Sequence, residues 1–150
     1  MVVNKAAAIP MAKIEKFPYK GKPLPVKDVW ISWLSKVGPD GAPEYGLRYF
    51  TVGPGGEIPI HNHLYYQTMY ILQGKLLARG YDFETDKVVE EKELGPGDFI
   101  FLKTMEPHSL HNPGSEPAVF LCCIANVYEE GSIEGAGREG FVVSASALRS

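Results

Sequence analysis

Short apolar and β-branched runs, each closed off by glycine or proline, constrain this chain more than any other feature. The runs fall at residues 29–33, 46–52, 69–72, 76–81, 87–94, 99–102 and 118–128. Between them stand Gly38-Pro39-Asp40-Gly41, Gly53-Pro54-Gly55-Gly56, Gln73-Gly74, Gly95-Pro96-Gly97-Asp98 and Asn112-Pro113-Gly114. Side chains of this kind pack well on a pleated surface, and glycine and proline supply the backbone angles that turn the chain between strands. Many short strands at close spacing predict a sandwich or barrel. No segment carries an apolar stripe at helical spacing over the length of a real helix, and residues 144–148 suit one terminal turn at most. The expected fold class is all-β.

At 150 residues the chain has room for one domain. Residues 1–27 carry Pro10, Pro18, Pro23 and Pro25 among lysines and are expected to form an extended N-terminal arm lying across a sheet edge. Residues 28–128 would form the barrel. Residues 129–150, with Gly131, Gly135, Gly137 and Gly140, would form a C-terminal tail packing on it.

Charge and composition exclude several partners. A formal charge of −3, with no clustered run of Lys or Arg, argues against nucleic acid. The apolar stretch at residues 6–9 breaks at Pro10, too early for a membrane span or a signal core, so a cytoplasmic protein without a membrane partner is expected. The adjacent Cys122 and Cys123 are read as free thiols, because neighbouring cysteines seldom reach disulfide geometry.

The four histidines, His61, His63, His108 and His111, fall in two short clusters. On a strand, His61-Asn62-His63 throws both imidazoles to one side and Asn62 to the other, close enough to share an ion. The plain alternative is a pair of solvent-exposed histidines on an edge strand. Gln67 follows three residues after Leu64, where a further polar side chain can return to the same point.

Residues 55–74 resemble the first signature of the cupin superfamily: Gly55, His61, His63 and Gly74 fall in register, and Gln67 stands where the family usually has glutamate. Gly97, His108 and Asn112 fit the spacing of the second signature, with Lys103 and Met105 replacing its proline and second glycine. The likeness spans roughly residues 45–125. It implies a double-stranded β-helix, a jelly-roll cupin barrel with a metal inside, held by His61, His63 and His108 with Gln67 as fourth ligand, and it implies a homodimer. Residues 29–33 and the arm would offer the edge for a second subunit.

Three imidazoles suit one divalent transition metal, Mn, Fe, Ni, Zn or Cu. An amide in place of a carboxylate removes a negative charge beside the ion, which favours an anionic ligand. Alternatively Gln67 only hydrogen-bonds a bound water, leaving a three-histidine site. Arg48 is a substrate-pocket candidate: pointing inward it would clamp an anion, pointing outward it is a surface charge. Tyr70, one of three tyrosines near the ligand segment, is a second candidate, and Cys122 a third, against the ordinary reading of a buried inert thiol. His111, at an odd offset from His108, is expected on the opposite face, and Glu106 in a solvated loop. The expected function is a metal-dependent enzyme, a dioxygenase or an isomerase of enolisation type, acting on a small anionic oxygen-bearing molecule. The alternative is a non-catalytic barrel that binds or senses a small ligand.

Overall fold

A computed structural model of the protein describes residues 1–36 and 44–125. The expected turn at 38–41, the end of the last apolar run, the tail at 129–150 and the turn at 144–148 lie outside the described residues.

After a 3-10 turn at Ala6–Ala8 the described chain is all strand: β1 (Ala12–Tyr19), β2 (Lys22–Ser35), β3 (Tyr45–His61), β4 (Gln67–Gln73), β5 (Leu76–Tyr81), β6 (Val88–Leu94), β7 (Phe99–Leu102), β8 (His108–His111) and β9 (Ala118–Ala125). They join in the order β6-β5-β8-β3-β9-β4-β7, with β2 and then β1 added alongside β3. The result is a nearly closed jelly-roll barrel.

One expected turn is not a turn. The cluster at residues 53–56 lies inside β3, and bends the strand without reversing it. Residues 45–52 pair with β9, and from Glu57 to His61 the same strand pairs with β8, so β3 passes from one wall of the barrel to the other. The bend needs Gly55, at φ 71°, and Gly56, where a Cβ would meet the Gly53 carbonyl oxygen at 2.8 Å. Asn112, fully buried, holds the bend: its Nδ2 donates to the carbonyls of Val52 (2.9 Å), Gly53 (3.1 Å) and Glu116 (2.8 Å).

The N-terminal arm is extended, as a hairpin. β1 turns through Lys20 and Gly21, both at positive φ, and pairs antiparallel with β2. Pro18, Pro23 and Pro25 fall where the two strands pair only with each other, since pairing of β2 with β3 begins at Lys27, so the absent N–H groups interrupt no interior ladder. The edge expected at residues 29–33 is therefore corrected. Trp30 pairs with Lys13 on one side and Thr51 on the other, and among the described residues β1 is the edge instead.

Alternation fills the interior. In β4 Gln67, Met69 and Ile71 point in, and in β9 Phe120, Cys122 and Ile124 do. Phe50 stacks on Phe120 at 4.8 Å with an interplanar angle of 6°. Each such ring contributes about 1.5–3 kcal/mol by leaving water.

Candidate metal centre

His61 reaches the interior through an irregularity. Ile58 pairs with Leu110 and His61 with His108, so three steps along β3 oppose two along β8. This bulge turns His61 inward although Ile58, at an odd offset, also points inward. His63 lies beyond the end of β3, so its convergence with His61 is not a matter of strand alternation. The loop before β8 fixes it: the Met105 N–H donates to the His63 carbonyl at 2.6 Å, Thr104 Oγ1 donates to the Leu64 carbonyl at 2.7 Å, and Asn62 Nδ2 reaches the Met105 carbonyl at 3.4 Å. Asn62 is buried under that loop, away from the imidazoles.

The three rings meet inside the barrel. Ring centres lie 4.6 Å apart for His61 and His63, 4.3 Å for His61 and His108, and 5.3 Å for His63 and His108. One donor atom from each lies within 4.8 Å of the others, a grouping that could hold one ion. Backbone carbonyls select the tautomers. His61 Nδ1–H donates to the Pro59 carbonyl at 2.7 Å and His108 Nδ1–H to the Glu106 carbonyl at 2.8 Å, which leaves a lone pair on each Nε2. His63 Nδ1 is buried with no hydrogen-bond partner.

Burial keeps these imidazoles neutral. It holds His61 and His63 well below the usual histidine range, with the neighbouring imidazoles and Arg48 adding to the effect, and it brings His108 down to about 4. Three neutral, converging imidazoles, two of them with the tautomer fixed by a backbone carbonyl, are what a divalent transition metal requires, and the residues fit one.

Arg48 is 2% exposed and lines the same cavity. Its Nη2 donates to Gln67 Oε1 at 3.3 Å and to Cys122 Sγ at 3.0 Å, and its guanidinium lies 5.1 Å from the centre of the Phe50 ring and 5.6 Å from that of Trp33. An arginine only donates, so the Gln67 oxygen must face it, and Gln67 Nε2 then lies 3.5 Å from His108 Nε2. Cys122, opposite Arg48 across the β3–β9 pairing, is buried in the cavity wall, whereas Cys123 is exposed.

Tyr70 requires correction. It is 47% exposed, on the outer face of β4, because it lies three residues from the inward Gln67 and a strand alternates at every residue. Tyr65 occupies the interior instead, 2% exposed and stacked on His63 at 4.5 Å. Phe17, from the hairpin at the N-terminus, stacks on His61 at 4.7 Å. The signal for Phe17 was present as Ile14, Phe17 and Tyr19 among the lysines. His111 does not line the cavity, and Glu106 closes its own turn by accepting from the Lys103 N–H at 2.9 Å.

The cavity volume is about 20 Å³, room for one or two waters, with Phe17, Phe50, Met69, Leu110 and Phe120 among its walls. Among the described residues no Asp or Glu lines it.

A family model described as the Cupin domain matches residues 48–124. Solved structures with the same fold include the polyketide cyclase RemF from Streptomyces resistomycificus, at 23% identity and TM-score 0.67, covering 90% of this chain and 89% of that one. A cupin-2 domain from Rhodospirillum rubrum is 20% identical with TM-score 0.62, over 99% of this chain and 84% of that one. A predicted oxalate decarboxylase from Thermotoga maritima is 21% identical with TM-score 0.62, over 84% of this chain and 100% of that one. Among curated proteins no sequence match was found.

Proposed function

This chain belongs to the cupin family, and on that premise we propose that it is a metal-dependent enzyme acting on a small anionic, oxygen-bearing substrate. The observation that carries this reading is the buried Arg48 cation beside three neutral imidazoles, in a cavity that no carboxylate lines among the described residues. A divalent ion would add its positive charge beside Arg48, which favours a ligand that brings negative charge.

His61, His63 and His108 would hold the ion. Gln67 is the proposed fourth ligand through Oε1, which would have to turn towards the ion, because Nε2, the amide atom now facing His108 Nε2, cannot ligate. When bound, the metal supplies Lewis acidity and, if redox-active, electrons for dioxygen chemistry. The protein's own part is to bind and orient. Arg48 clamps a carboxylate with a charge-assisted hydrogen bond, the stacked Phe17 and Tyr65 keep the His61 and His63 rings in place, and the apolar walls exclude water. Dioxygenase and enolisation chemistry both suit this arrangement.

A second reading is a barrel that binds or senses a small ligand without turning it over. The absence of a carboxylate base among the described lining residues favours it. In either case we read the chain as a cytoplasmic homodimer; the dimer is supported by the outer edge of β1, which pairs with no other strand among the described residues. Among the described residues no helix is long and apolar enough to cross a membrane.

The test is calorimetric titration of protein loaded in turn with Mn, Fe, Ni, Zn and Cu, using acetate, oxalate and pyruvate. Binding that needs both the metal and Arg48 supports the reading. Binding equally strong in Arg48→Met, or none with any metal, sinks it. Deuterium exchange at the pyruvate methyl group and dioxygen uptake then separate enolisation from oxygenation, and neither with tight binding favours the second reading.

A further inference from the structure

At about 20 Å³ the histidine pocket admits a water or two, so a larger guest needs a wall that moves. Phe17 apart, each lining residue lies on β3, β4, β8 or β9, or, for His63, in the loop tied to Met105. Those four strands are each paired on both sides, so moving one breaks two ladders.

Phe17 comes from a different kind of element. The hairpin of β1 and β2 has two halves. In the near half residues 12–14 pair with residues 29–31, which pair in turn with β3. In the far half residues 16–19 pair with residues 22–25, and among the described residues that stretch of β2 pairs with no third strand. Both strands break step where the halves meet. The register of β1 on β2 shifts between Ile14 and Lys16, that of β2 on β3 shifts between Lys27 and Val29, and Asp28 sits at φ 50°. Irregularities of this kind absorb a change of chain direction, and a few such residues make a hinge.

The far half meets the barrel through side chains. Phe17, 3% exposed, stacks on His61 at 4.7 Å. At the tip Tyr19 Oη donates to Asp86 Oδ1 at 2.7 Å, Lys20 Nζ donates to the same oxygen at 2.9 Å, and Lys20 also donates to the Phe83 carbonyl. Asp86 and Phe83 belong to the connection between β5 and β6, and β8, which carries His108, stands between β3 and β5. The far half therefore reaches from the β3 side to the β5 side across the histidine end of the barrel.

We propose that residues 15–28 form a flap over the histidine pocket, hinged at Glu15 and Asp28 and latched at its tip by Asp86, and that the pocket is reached when the latch parts and Phe17 lifts from His61. Closed, the flap keeps water from the imidazoles. Open, it gives the width that a small organic ligand needs. The route is the same for a catalytic and for a binding barrel, so its test uses neither metal nor acid.

Cys122 reports the opening, because it lines the pocket and is 1% exposed. The full chain, freed of metal and carrying Cys123→Ser at the exposed neighbour, is treated with methyl methanethiosulfonate, and labelling of Cys122 is followed by mass spectrometry. Asp86→Gly removes the latch at a backbone position, φ 55°, that suits glycine. Tyr19→Phe removes one donor and keeps the ring. The expected result is labelling about tenfold faster in Asp86→Gly and at least about threefold faster in Tyr19→Phe. The accelerated rate should change little in low urea, because lifting a flap exposes far less surface than unfolding the barrel. Labelling that neither variant speeds overturns the proposal. So does a rate that climbs with urea as steeply as global unfolding does, since the reagent then enters through the unfolded chain. Labelling of the parent as fast as a free thiol overturns it too, because the flap would then close nothing.

Discussion

The Arg48 guanidinium donates to the Gln67 side-chain oxygen at 3.3 Å, so the residue that stands where relatives usually carry glutamate is met by a buried cation. A carboxylate at position 67 would pair with Arg48 and cancel its charge. The amide hydrogen-bonds it without adding a negative charge.

Gln67→Glu should therefore retain metal, because a carboxylate is at least as good a ligand, while weakening the binding of small carboxylates by about tenfold. Metal analysis and acetate titration of the same preparation check both parts. Undiminished acetate affinity would mean that Arg48 does not recruit the ligand.

His61→Ala or His108→Ala should reduce metal content from stoichiometric to background, because each removes one of three converging imidazoles. Gln67→Ala should weaken metal binding by about 10–100-fold without abolishing it. Elemental analysis of untagged protein purified without chelator is the measurement. Metal that survives His61→Ala would place the ion elsewhere.

The metal-free protein should lose stability in acid through its histidines. Burial sets the folded-state pKa of His108 at about 4, below its ordinary 6.5, so the unfolded chain binds the proton first as pH falls. The stabilising contribution is fully present above about 6.5 and is lost as pH falls towards 4, with the depressed His61 and His63 acting in the same direction. Urea midpoints between these limits should decline for the wild type and decline less for His108→Gln.

Asn112→Ala should destabilise the fold by about 3 kcal/mol, because two carbonyls at the β3 bend and that of Glu116 in the loop before β9 lose their donor inside the protein. Chemical denaturation measures it. A loss below about 0.5 kcal/mol would show that the glycines alone hold the bend.

Much of the framework was legible in the sequence. Apolar runs located most strands, and the two histidine clusters located the loops and strands that carry the site. The position of Tyr70 was legible too: with Gln67 inward, the period of two already sends Tyr70 outward and Met69 inward. The Gly53-Pro54-Gly55-Gly56 cluster misled, because the same residues that permit a reversal also permit a bend, and only the pairing of Glu57 with His111 on β8 decides between them.

By itself, then, the sequence determined an all-β chain with two short histidine clusters and an amide near the first, since strand period and turn chemistry are local properties of a few residues. It did not determine which face of β3 turns inward. Leu47, Tyr49 and Thr51 are no more polar than Arg48, Phe50 and Val52, and a local rule would have buried the first set. The tertiary structure buries Arg48 because Gln67, Cys122 and the Phe50 and Trp33 rings converge on it from other elements. Tertiary structure likewise brought Phe17 from the N-terminal hairpin onto His61 and left β6 standing away from β7. Contacts between residues far apart in the chain depend on the register of every strand between them, and that register is set by the packing free energy of the whole barrel.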